Sequence, residues 1–156
     1  MTARKALYLA IKNKLTEIDG LEYVGAQRNQ FAEGNEGYPA YWTTCLIKIG
    51  PMQWNTMVEQ HLEGLVTVEI YLYTKDGMAE ALFSGTDDGE AEIDLIEEIS
   101  DKLQFLVAGA FRSLIQTADD HEEVKIQGIT CRKISFSTSI DKVVAPKYEP
   151  KSISIS

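Results

Sequence analysis

The stretch Leu65-Val66-Thr67-Val68-Glu69-Ile70-Tyr71-Leu72-Tyr73 decides the fold. Val66, Val68, Ile70 and Leu72 point one way and Thr67, Glu69, Tyr71 and Tyr73 the other, the period-two alternation of a strand with one face on a core. Such a face needs a covering layer, and two segments have the pattern to supply it. Over residues 2–18, Leu7, Ile11, Leu15 and Ile18 recur at helical spacing, with Arg4, Lys5, Lys12 and Lys14 between them. Asp19-Gly20 is expected to stop this helix, the glycine closing it in the left-handed conformation. Downstream, Asp87 followed by Glu90 has the spacing of a capping box. Ile93, Ile96, Ile99, Leu103 and Leu106 then form the stripe of a second helix, its acids Glu90, Glu92 and Asp94 suited to the positive helix end. Gly109 should end it or lie just beyond.

Outward from this frame, residues 22–27 read as a short strand and 41–49 as a longer one, with Cys45, Ile47 and Ile49 on one face and Thr44, Leu46 and Lys48 on the other. Gly50-Pro51 ends it. Residues 28–39 and 52–64 read as long connections, a loop class that is often functional. The remainder reads as a hairpin: a strand at 110–117, an acidic turn at 118–123, and a final strand at 124–140 with Gly128 as a bulge. The order α-β-β-β-α-β-β predicts an α+β domain over residues 1–142, a mostly antiparallel sheet with both helices packed on one face. Residues 143–156 form an arm, because Pro146 and Pro150 deny it helix and Ser152-Ile153-Ser154-Ile155-Ser156 alternates like a strand fragment. It either frays or is exchanged with a neighbour.

The 156 residues fit one core, and 44% hydrophobic with 25% charged residues is ordinary globular usage. A formal net charge of −9 excludes DNA-groove binding, which needs clustered Lys and Arg to release counterions. No stretch has the roughly 20 apolar residues of a membrane span, and the N-terminus lacks a secretory apolar run, so a cytoplasmic protein is expected. Cys45 and Cys131 lie far apart inside strand-like segments and read as buried reduced thiols, with a disulfide as the alternative.

No motif supports catalysis, and no cofactor is expected. His61 and His121 are the available histidine bases, and neither sits in a recognised constellation. Asp119-Asp120-His121-Glu122-Glu123 offers oxygen ligands and an imidazole. Five adjacent residues in a turn point in different directions, however, so a solvated turn is preferred to a metal site. Helix capping accounts for Asp87-Asp88-Gly89-Glu90 without an ion. What remains is aromatic and sulfur-bearing side chains in loops: Phe31, Tyr38, Tyr41, Trp42, Met52, Trp54 and Met57. Such residues either fold back onto the core or anchor a protein interface. With Ile153 and Ile155 of the arm, Phe31, Tyr38, Trp42, Met52, Trp54 and Met57 are the candidate interface residues, Trp54 foremost.

The whole-chain pattern resembles the tail-terminator and tail-completion proteins of long-tailed bacteriophages, of the minor tail protein U type. Four features carry the resemblance: the opening helix at 3–18; Gly37-Tyr38-Pro39-Ala40-Tyr41-Trp42 leading into the strand at 45–49; the strand at 66–73; and Asp119-Asp120-His121 before the closing strand. The resemblance implies an α+β sandwich and a non-enzymatic virion or prophage protein. It implies a ring of six copies that stops tail-tube polymerisation and joins the tube to the head. The implied partners are copies of itself with tail-tube and head-neck proteins, made in the host cytoplasm and carried in the virion tail. The acidic balance suits a conduit whose lumen repels passing DNA. Two alternatives stay open: another neck, tail-tube or contractile-machine subunit, and a small metal-dependent hydrolase or ligand-binding domain using residues 119–123 and His61.

Overall fold

The computed structural model describes residues 2–28, 30, 43–75, 90–124 and 128–143. Helix α1 (Ala3–Leu15) and strands β1 (Tyr23–Ala26), β2 (Thr43–Ile49), β3 (Gln53–Val58) and β4 (His61–Lys75) precede helix α2 (Glu90–Leu103), then β5 (Ile115–Glu122) and β6 (Ile129–Val143). One six-stranded sheet has the order β1-β2-β4-β6-β5, with β3 also paired to β4. All its pairings are antiparallel except β1 with β2. The architecture is the expected α+β class, with one strand more than the sequence pattern indicated.

The alternation read from residues 65–73 holds through the middle of β4: Val66, Val68, Ile70 and Leu72 are buried on one face. They join Cys45 and Ile47 of β2, Ile134 and Phe136 of β6, Leu7, Ile11 and Leu15 of α1, and Leu95, Ile96, Ile99 and Leu103 of α2 in one core. Both helices therefore cover the same face. Each fully buried Leu, Ile or Phe contributes about 1.5–3 kcal/mol, so this layer dominates the stability. Behind the sheet lies a smaller cluster of Leu46, Tyr73 and Cys131, with Tyr23, Tyr71, Val124 and Ile129 packed around it. That cluster explains why Thr44 and Leu46, assigned to the outer face of their strand, are nonetheless buried.

Cys45 and Cys131 are both buried free thiols. Cys45 opposes Leu72, and Leu72 opposes Arg132 in the next strand, so two strand spacings of about 4.8 Å separate the thiol-bearing strands. The cysteines also face opposite sides of the sheet, beyond the reach of a disulfide. Burial, reinforced by the neighbouring Cys131, pushes the Cys45 thiol up; burial likewise pushes Cys131 up to about 12, against a lowering hydrogen bond with Tyr73.

Several boundaries move, each for a physical reason. Helix α1 is capped by Thr2, whose side chain accepts from the Lys5 amide at 3.2 Å, and runs from Ala3 to Leu15; Thr16 returns its hydroxyl to the Asn13 carbonyl. Gly20 does not take a positive φ: it is small because Leu95 packs 3.2 Å from where its Cβ would stand. Helix α2 ends at Leu103, short of Leu106, and its buried stripe contains Leu95 in place of Ile93, which is 60% exposed. Gly109, with φ +57, belongs to the loop after the helix. Asp87 of the expected capping box lies outside the described residues.

The terminal hairpin is displaced the furthest. Residues 110–114 are not strand but a loop that buries Phe111 and Leu114, with one isolated bridge from Phe111 to Ile140. The segment expected as an acidic turn is strand β5 itself, paired to β6 from Ile115 through Glu122. It tolerates three carboxylates, Asp119, Asp120 and Glu122, because it is an edge strand, where charge discourages further pairing. The final strand runs to Val143, which therefore belongs to β6 and not to the arm. Gly128, with φ +83, precedes β6, and the irregularity in this pair falls between Gln116 and Ala118.

Candidate functional site

The connection expected over residues 52–64 is mostly sheet. Gln53 to Val58 pair with His61 to Leu65 as a tight hairpin, and Gln60 adopts φ +67 at its turn. A register shift between Thr56 and Val58 leaves Met57 as the extra residue. Every residue of β3 is exposed, so this strand is held by its ladder to β4 and not by a core. Trp54 opposes Gly64, and its indole lies flat on that glycine: a Cβ at Gly64 would meet the ring at 2.7 Å. Lys142 sits over the ring, 5.5 Å from its centroid. The indole is thus fixed from below by a bare backbone and from above by an ammonium, a geometry that lowers the entropy lost on docking.

Around it, Trp54 is 42% exposed, Met57 59%, Val58 61% and Val143 66%. By register Trp54 shares the face of Gly64 and Ile140, whereas Val58 and Val143 flank His61 on the other face, so exposed apolar side chains stand on both faces of this end of the sheet. Of the residues proposed from sequence, Trp54 and Met57 lie exposed on this hairpin. Met52 is half-buried and packs on the core. Phe31, Tyr38, Tyr41, Trp42, Ile153 and Ile155 lie outside the described residues. Val58 and Val143 were missed; the only signal was that each is an apolar residue at the end of a strand, Val58 before a turn and Val143 shortly before Pro146.

The face of the sheet away from α1 and α2 carries a trough of about 740 Å³ between Gly50-Pro51-Gln53 on one side and Arg112-Ser113-Ile115 on the other. Its floor is small and polar, with Thr67, Ser137 and Ser139. Next to it an ion-pair row crosses three strands: Lys133 lies 3.6 Å from Glu69 and 2.9 Å from Glu122, and Tyr71 donates to Glu69 at 3.0 Å. The hydrogen bond to Glu122 leads in raising the Lys133 pKa; burial leads in raising that of Tyr71. Burial also raises Tyr73, whose hydroxyl accepts from Gln27 at 2.8 Å. These groups hold their protons, and opposite charges neutralise one another.

As strand residues, the acids of β5 alternate between faces: Asp119 pairs with Arg132 at 3.1 Å, and Glu122 with Lys133 on the other side. His121 opposes Arg132, and His61 opposes Val58 and Val143 at the far end of the sheet. The structure therefore does not bring the two histidines together. Among the described residues no group of three or more His, Cys, Asp or Glu is placed to hold a metal ion. Among the same residues no helix is long and apolar enough to cross a membrane.

No protein-family model matches the chain, and no curated protein matches it. Among solved structures, its fold is similar to that of a chain in the virion of a native gene transfer agent particle, with a TM-score of 0.58 and 14% sequence identity. The likeness covers 90% of this chain and 98% of that one. At that identity it is a likeness of fold.

Proposed function

We propose that this chain is a structural subunit of a phage-like virion, of the tail-terminator kind. It closes into a ring of six, caps the tail tube and joins it to the head. The observation that carries this reading is the fold likeness to a virion component over nearly the full length of both chains. The exposed hairpin supports it, since a subunit that must dock presents a prearranged aromatic outside its own core. Its binding free energy goes into contacts with copies of itself and with neighbouring tail and neck proteins, with no reaction to catalyse. The protein passes from host cytoplasm to virion tail.

Native mass spectrometry and negative-stain microscopy test the ring. One dominant hexamer is expected; a ladder of sizes or filaments would instead indicate an open tube subunit, and a strict monomer at all concentrations would remove the proposal. The hairpin is tested by Trp54→Ala. Circular dichroism should stay native while assembly is lost, because a partly exposed aromatic contributes more to association than to folding. A variant that unfolds would place Trp54 in the core.

A further inference from the structure

The two side edges of the sheet carry opposite charge. Over residues 90–124, ten acids stand against Lys102 and Arg112, a formal charge of −8; over residues 2–28, five bases stand against three acids, +2. The first stretch forms α2 and the edge strand β5, and the second forms α1 and β1, the opposite edge.

Each edge also has its own relief. On the acidic side, exposed Asp94, Glu97, Glu98 and Asp101 line the outer face of α2 around Ile93. Just past the helix, Phe105 is 65% and Val107 60% exposed. Phe105 holds φ +64, a left-handed conformation unfavourable for an aromatic residue. Its amide donates to the Leu114 carbonyl at 2.8 Å, and the Leu114 amide donates to Leu106 at 2.9 Å, so the backbone is pinned there. Strain is thus spent on holding a phenyl ring in water. On the basic side, α1 and the ends of β1 and β2 enclose a groove of about 450 Å³, with Tyr8, Ile47 and Ile49 among its apolar lining and Arg4, Lys5 and Lys48 at its rim. Among the described residues none of these three cations has a carboxylate within ion-pair distance.

We infer that the acidic edge bearing Phe105 in one copy seats in the basic groove of the next copy. The inference deepens the ring reading and rests on it. A second copy is the occupant because complementary charge stands on opposite edges of this same chain, with an exposed phenyl ring on one and an apolar-lined groove on the other. Such a contact is heterologous: it leaves one free edge of each kind after every addition and ends only by closing a ring. Apolar centres within charged rims match the anatomy of protein interfaces, and the charge sets the direction of docking.

The test uses two charge-reversed full-length chains, Arg4→Glu with Lys5→Glu, and Glu98→Lys with Asp101→Lys. Acids in a first helical turn and lysines near a helix C-terminus favour the helix, so both chains should fold. Native mass spectrometry at physiological ionic strength should find each alone as a monomer. An equimolar mixture should restore the ring with the two chains alternating, since every junction again joins opposite charges. Single reversals that still form rings would overturn this contact while leaving the ring reading intact. So would folded variants whose mixture fails to assemble. A monomeric wild-type protein would remove both. Phe105→Gly separates the knob from the charges: releasing the positive φ should raise the melting temperature, while association weakens by about tenfold or more. A glycine variant that assembles as tightly as wild type would overturn the role of Phe105.

Discussion

Two halves of β4 obey the same alternation and meet different fates. From Val66 to Leu72 the even positions lie under α1 and α2 and are buried; from His61 to Leu65 the strand continues in register with β6, yet it gives no side chain to the core under α1 and α2. There Gly64 supports an indole in place of a core side chain, and Leu65 is 41% exposed. A period-two pattern specifies which face a residue occupies, but the covering layer decides whether that face folds the chain or meets a partner.

The largest effect that separates the halves should come from Phe136→Ala in the covered half. Phe136 is fully buried opposite Val68, and its truncation should cost about 3–5 kcal/mol in urea unfolding. A cost near that of a surface substitution would erase the distinction.

Next comes alkaline pH. Cys45, Tyr71, Tyr73, Cys131 and Lys133 all hold protons more tightly in the folded state, and all lie around the covered half. Between its unfolded and folded pKa each group makes the native state bind more protons than the unfolded one, so stability falls as pH rises. It should be fully present below about pH 8.5, where free thiols begin to titrate, and decline above it. Thermal melts across that range read the effect, and Cys131→Ala should blunt the first part of the decline. A melting temperature that stays constant to about pH 10 would show the thiols to be no more protected than in the unfolded chain.

Smaller changes probe the bare half. Gly64→Val places a side chain where the Trp54 ring lies, so tryptophan emission should shift to the red as the indole lifts. Stability should change by less than about 1 kcal/mol, because gained strand propensity offsets the lost contact. Unchanged emission would mean that the ring does not rest on the glycine. Lys142→Ala, which removes the cation above the ring, should cost only about 0.5 kcal/mol in the same unfolding assay. A cost of several kcal/mol would make this end part of the core.

The covered half was legible because its periodicities are strong. Leu7, Ile11 and Leu15 recur at helical spacing and Val66 to Leu72 alternate, and burial follows both patterns. The bare half was not, because β3 has no buried face to generate a pattern: Gln53-Trp54-Asn55-Thr56-Met57-Val58 reads as a loop with aromatic and sulfur residues. Trp54 could be selected by residue type, but Gly64 as its seat could not, since that depends on cross-strand register. The β5 error has a different origin. Phe111 and Leu114 are apolar because they plug the end of the core from a loop, whereas Asp119 to Glu122 form a strand through backbone bonds that side-chain composition does not reveal.

The β4–β6 ladder runs fifteen paired residues without a bulge. At about 3.4 Å per residue the two strands form a beam of roughly 48 Å from the tryptophan end to the tyrosine end. Sliding one strand by a single residue would turn Val68 and Ile70 outward, so the beam resists slippage along its length. The tryptophan end and the tyrosine end are therefore tied through one continuous register and cannot shift relative to each other without turning core side chains into solvent.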